Sequence, residues 1–236
     1  MLHIRFIVAV VITWAAIAQA TEPKKCCFPD QFTIFQGSTV ASFIEEQKYP
    51  EAFYAAQYSA YDYTNNRFGA YGNRTLFTGQ DVQSYRIVTD MTKKLTWEID
   101  PINKQCMQVP ASDFFSNYRC IPENATYVGN NYFGNKDVYF DTWVFNRAIS
   151  TQTDLHINGT ASMSVDTDNG CIPIGGSFNG KLISGGVTQD VVSTSGNMNY
   201  EHGIRDPDKY FKLPDYCQQA TEEPSKLLGL LHKTKL

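Results

Sequence analysis

Lys94-Leu95-Thr96-Trp97-Glu98-Ile99-Asp100 is the stretch from which the fold is read. Leu95, Trp97 and Ile99 fall on every second position, and Lys94, Thr96, Glu98 and Asp100 fall between them. Successive side chains of a strand point to opposite faces, so this alternation describes a strand of an antiparallel sheet with one apolar and one wet face. The same period of two extends in both directions. Upstream it predicts strands over Gln31–Gln36, Ser38–Ile44, Phe53–Tyr63, Arg67–Tyr71 and Ser84–Thr89. Asn65-Asn66 makes a hairpin turn among them, because Asn tolerates positive φ. Downstream it predicts Lys104–Val109, Ala125–Phe133, Val138–Phe145, Asp154–Val165, Ser177–Ser184, Val187–Ser193 and Asn197–His202. Glu45–Glu51, Asp166–Gly170 and Gly185-Gly186 read as turns.

Helical patterns are few. They are Ala111–Tyr118, Pro207–Lys212 with Asp206 as N-cap, and the tail Ser225–Leu236. No internal repeat or linker divides the chain, so residues 21–236 read as a single β domain, with 219–236 a flexible or short helical tail. A large sheet with so few helices must close into a barrel, fold as a sandwich, or leave an apolar concavity. Aromatic residues make up 14% of the chain, enough to line a pocket for an apolar molecule or to fill a sandwich core.

The first twenty residues precede the fold. Arg5 supplies a positive start, Phe6–Ala18 is an apolar run shorter than a membrane span, and Ala18-Gln19-Ala20 matches a small-residue cleavage site. Residues 1–20 therefore read as a signal peptide, with the mature chain starting near Thr21. All six cysteines, Cys26, Cys27, Cys106, Cys120, Cys171 and Cys217, lie beyond it. An even number in an exported chain reads as three disulfides, and spacing alone leaves all 15 pairings open. Asn73-Arg74-Thr75, Asn124-Ala125-Thr126 and Asn158-Gly159-Thr160 are glycan acceptor sequences in turn-like context.

The formal net charge of −4 argues against a nucleic-acid reader, which is expected to carry a basic surface. Four histidines and no Gly-x-Ser-x-Gly, His-Glu-x-x-His, glycine-rich phosphate loop or Cys-x-x-Cys leave no constellation for catalysis, so no enzyme is expected. His156 and His202 read as surface strand residues. Asp166-Thr167-Asp168-Asn169-Gly170 is one residue short of a calcium-loop start and lacks the following Glu, so it reads as an Asx-rich hairpin.

Several segments together resemble the ependymin-related proteins, from about Cys26 to Gln218. They are Cys26-Cys27-Phe28-Pro29-Asp30-Gln31-Phe32, Tyr58-Ser59-Ala60-Tyr61-Asp62, and Glu98-Ile99-Asp100 leading to Lys104-Gln105-Cys106. Ile121-Pro122-Glu123-Asn124-Ala125-Thr126, Asp141-Thr142-Trp143, and Gly203-Ile204-Arg205-Asp206-Pro207 leading to Cys217-Gln218 follow in the family's order. The resemblance implies a strongly curved antiparallel sheet, a half-barrel similar to bacterial lipoprotein carriers, with a few short helices. It implies bridges Cys26–Cys171 and Cys106–Cys217, which leaves Cys27 and Cys120 as the third pair. It further implies a secreted or lysosomal glycoprotein, homodimeric, that binds a fatty acid or other lipid in a deep apolar pocket. Leu95, Trp97, Ile99, Trp143 and Phe145 are the candidates for that pocket. The alternative reading is an extracellular matrix or cell-adhesion glycoprotein associated with calcium and matrix components. N-terminal sequencing of the exported protein should begin at Thr21, and glycosidase treatment should release glycans from Asn73, Asn124 and Asn158. A retained residue 1–20 segment would overturn the signal-peptide assignment.

Overall fold

The structure, a computed structural model, describes residues 22–44, 51–77, 82–111, 119–150, 156–184, 187–219 and 221–222. The expected signal peptide, the tail helix over Ser225–Leu236 and all but the first residue of the expected Ala111–Tyr118 helix lie outside them.

Twelve strands form one sheet: β1 (Gln31–Ile44), β2 (Glu51–Asp62), β3 (Arg67–Leu76), β4 (Val82–Asp90), β5 (Leu95–Asp100), β6 (Gln105–Pro110), β7 (Thr126–Phe133), β8 (Val138–Ser150), β9 (His156–Asp166), β10 (Ile172–Ser184), β11 (Val187–His202) and β12 (Thr221–Glu222). Their order is β12-β6-β5-β4-β3-β2-β1-β11-β10-β9-β8-β7. Eleven strands are antiparallel, and the two residues of β12 add in parallel to β6. Two expected breaks are absent. Gly37 does not split β1, because it pairs in register with Gly196 and Ala56. Ser193 to Asn197 likewise stays paired along β11.

The sheet is open but curled. Phe32 and Ile34 on β1 share one buried cluster with Trp143 and Phe145 on β8. β11, β10 and β9 lie between those strands. Four strand spacings laid flat would separate them by about 19 Å. The inner face therefore packs against itself. One end of the curl is closed by the N-terminal segment, where Cys27 bridges to Cys120, Phe28 N–H donates to Arg119 O (2.7 Å) and Ile121 N–H to Cys26 O (2.9 Å). Disulfides join Cys26–Cys171, Cys27–Cys120 and Cys106–Cys217. Cys26–Cys171 and Cys106–Cys217 are the two pairs the resemblance implies, and Cys27–Cys120 is the pair it leaves over. The 111-residue separation of the last stabilises by about 4 to 5 kcal/mol on the chain-entropy model.

Four hairpins share one local device. Asp62, Asp90, Asp100 and Asp166 each end a strand and accept backbone N–H groups two or three residues on, from Asn65 (3.1 Å), Thr92 and Lys93 (3.0 Å each), Ile102 and Asn103 (2.9 Å each) and Asn169 (3.0 Å). The side chain of the residue three on, Asn65, Lys93, Asn103 or Asn169, binds the same carboxylate. The residue four on has positive φ: Asn66 (52°), Lys94 (57°), Lys104 (53°) and Gly170 (90°). This Asx geometry reverses the chain in a loop of four residues after Asp62, Asp90 and Asp100 and of five after Asp166.

The C-terminal segment covers the outer face of β3 to β6. Helix α1 (Pro207–Phe211) starts at the N-cap Asp206, with Pro at its first turn. It lies so close to β3 that a Cβ on Gly69 would stand 2.6 Å from the Tyr210 carbonyl oxygen. The 3-10 turn Asp215–Gln219 then brings Cys217 to Cys106.

Asp62 is the junction of these parts. Its side chain is 1% exposed and takes Gln31 Nε2 of β1 (2.9 Å) and Arg67 Nη2 of β3 (2.6 Å). The Arg67 guanidinium in turn lies 4.3 Å over the Phe211 ring of α1. Burial works against the charged carboxylate, but hydrogen bonds from Gln31, Asn65 and Arg67 outweigh it and hold its pKa below the ordinary value. A lowered folded-state pKa contributes stability above the unfolded carboxylate range, and that contribution is lost as pH falls through and below it. Asp62→Asn should lower unfolding stability by about 2 kcal/mol at pH 7, with a smaller difference at pH 3, read by urea denaturation. An unchanged difference at the two pH values would contradict this account.

Candidate functional site

The curl encloses a cavity of about 260 Å³ along the inner faces of β1, β8, β9, β10 and β11. Its apolar wall is Phe28, Phe32, Ile34, Phe145, Met163 and Phe178. Cross-strand register sets these side chains in rows. Trp143 pairs with Met163, Phe145 with Ala161 and Ala161 with Phe178, all pointing inward. One row farther, Arg147 pairs with Gly159, Gly159 with Gly180 and Gly180 with Val191. Those two glycines are packed backbone to backbone, since a Cβ on Gly159 would meet Gly180 Cα at 2.6 Å and the Phe178 ring at 2.9 Å. No other side chain fits between strands so close, and Phe178 lies across the gap.

The opposite wall is polar. Gln36, Ser193, Ser195 and Asn197 of β1 and β11 line it. Gln57 Nε2 donates to Gln36 Oε1 (3.0 Å) and Ser59 Oγ (2.9 Å), and Tyr85 OH donates to Gln57 Oε1 (2.6 Å). Asn197 Nδ2 donates to Pro173 O (3.2 Å), while its Oδ1 is buried without a hydrogen-bond partner among the described residues. Burial pushes the Tyr61 and Tyr85 phenols up to about 12. It raises Tyr63 as well, with Tyr61 adding and Arg119 opposing. Tyr61 and Tyr63, both at the cavity, therefore stay neutral at physiological pH.

The five pocket candidates separate. Phe145 lines the cavity. Trp143 has 0% exposure in the cluster beneath it, with Lys25 Nζ 5.6 Å above its ring. Leu95, Trp97 and Ile99 are not at the cavity, and their assignment to it is corrected. Trp97 pairs with Val88, Val88 with Gly69, Gly69 with Ala60 and Ala60 with Thr33. The cavity residue Phe32 lies in the adjacent row, through Tyr61, Phe68 and Thr89 to Thr96. Adjacent strand residues face opposite sides, so the apolar stripe of β5 is on the outer face. There it packs with Val88, Leu213, Tyr216 and the Cys106–Cys217 bridge. Sequence reading missed Arg147, Met163 and Phe178. The signal for Arg147 was present, two residues beyond Phe145 and hence on the same face.

The three acceptor asparagines, Asn73, Asn124 and Asn158, are exposed. His202 is exposed, and the His156 side chain lies outside the described residues. Among the described residues no group of three or more His, Cys, Asp or Glu is placed to hold a metal ion. Asp166 accepts from the Asn169 backbone N–H and side-chain amide, so the Asp166–Gly170 loop is the Asx hairpin expected. Among the described residues no helix is long and apolar enough to cross a membrane.

A family model, Ependymin, matches residues 79–217, more than half of the chain. Ependymin-related protein 1 of Haliotis asinina is 25% identical over 194 residues, covering 81% of this chain and 90% of its own length. Development-specific protein LVN1.2 of Lytechinus variegatus is 28% identical over 165 residues, 67% of this chain and 83% of its own. Among solved structures, an uncharacterized conserved protein from Thermus thermophilus is 10% identical, covering 82% of this chain and 90% of that one. Its TM-score is 0.44.

Trp97→Ala should lower stability by about 3 to 5 kcal/mol in urea unfolding, the cost of emptying a buried aromatic site. A loss under about 1 kcal/mol would mean that the C-terminal segment does not pack on β5.

Proposed function

The chain belongs to the ependymin family, and we propose that it binds a hydrophobic ligand, a fatty acid or other lipid, in the cavity of its curled sheet. The observation that carries this reading is an inner face lined by Phe28, Phe32, Phe145, Met163 and Phe178 around open space instead of a filled core. Each methylene buried there contributes about 0.8 kcal/mol, so an acyl chain binds without many polar partners. The three disulfides and the family membership fit an extracellular protein. The exposed Asn73, Asn124 and Asn158 support glycosylation there. No reaction enters this reading.

The homodimer belongs to the same proposal. The outer face of β2, β1 and β11 carries Tyr54, Tyr58, Phe43, Val192 and Met198, each more than 40% exposed. Several exposed large apolar side chains on one face of the central strands support a self-complementary two-fold contact. Native mass spectrometry of the exported protein, followed by organic extraction, should give a dimer mass with a stoichiometric extractable lipid. Absence of saturable binding of any acyl lipid would overturn the carrier reading. Calcium-dependent assembly without lipid would instead favour a matrix or adhesion role.

A further inference from the structure

We infer that Arg147 makes the cavity selective for amphiphiles with an anionic head and sets the direction in which they lie. The inference rests on the cavity being the lipid site. Among the described residues lining the cavity, Arg147 is the one ionised side chain. It stands on the inner face in the row beyond Phe145, where its cross-strand neighbours Gly159 and Gly180 have no side chains and the Phe178 ring lies across them. A charge in a half-buried position beside apolar surface interacts more strongly with an anion than one at the outer surface does. A guanidinium carries five N–H donors in a fork that matches the two oxygens of a carboxylate or phosphate, enough to hold a neighbouring group and a ligand at once.

The two ends of the cavity differ in the way such a ligand requires. Toward the N-terminal closure the wall passes into Phe32, Trp143, Val165 and Cys171, at 1%, 0%, 0% and 0% exposure. Arg147 is only half-buried. An acyl tail thus lies on the closed aromatic end and its charged head at the guanidinium. From the Arg147 row to the Asn197 row the wall runs six residues along β11, about 20 Å at strand rise. That span suits a long single chain.

The test compares the affinities of oleate, oleyl phosphate and methyl oleate for the full chain and for Arg147→Met and Arg147→Lys, with melting temperature reporting that each variant is folded. The unaltered protein should bind at least one of the two anions roughly tenfold or more tighter than the ester, the worth of a charge-assisted pair. Which anion wins separates a carboxylate from a phosphate ligand. Arg147→Met should bring that ratio to about one, and Arg147→Lys should leave it between the two. Equal binding of ester and anions by the unaltered protein, or a preference that survives Arg147→Met, would overturn the role of Arg147 while leaving the apolar site standing. Failure of all three ligands to bind any folded form would overturn the lipid site and this inference together.

Discussion

The packing of the inner face against itself governs the rest of the molecule. Phe32 and Ile34 of β1 can share a cluster with Trp143 and Phe145 of β8 only if the four intervening steps of the sheet bend round. A flat sheet would leave those aromatics in water at a cost of about 25 cal/mol for each Å² of apolar surface. The N-terminal segment, tied by Cys26–Cys171 and Cys27–Cys120, fills the narrow end of the bend, and the unfilled remainder is the cavity. Core and candidate site are therefore one feature, and the groove is where the core runs out of side chains.

The other half of the sheet solves the same problem differently. Its outer stripe of Val88, Trp97 and Ile99 is covered by the returning C-terminal segment, closed by Cys106–Cys217. Gly69 permits the approach of α1, and Asp62 with Arg67 joins that helix to the hairpin below it. The chain thus buries opposite faces of one sheet at its two ends. Glycines serve both ends, giving room for a helix backbone at Gly69 and bringing strands together at Gly159 and Gly180.

Elements decided by nearest neighbours were legible in advance. The alternation in β5, the Asn65-Asn66 turn and the Asp206-Pro207 helix start all appear where the residues placed them. The repeated Asp-x-x-Asn or Asp-x-x-Lys loops at Asp62, Asp90, Asp100 and Asp166 were equally local, and their shared pattern could have been read four times instead of twice. Strand ends were less legible. Gly37 and the Ser193–Asn197 stretch look like breaks in the sequence, yet both continue a strand because partners on each side supply the hydrogen bonds.

Residue order alone was enough for a helix-poor antiparallel sheet, most of its turns, its family and, through the family, two of its disulfides. Which apolar stripe faces the cavity was fixed by packing between distant strands. Period two tells two faces apart but carries no label for inside and outside, so the stripe of Leu95, Trp97 and Ile99 reads the same as that of Trp143 and Phe145. The label comes from curvature and from what lies over each face, a returning C-terminal segment in one case and the far side of the same sheet in the other. Both depend on contacts between residues distant in sequence, which no local pattern contains.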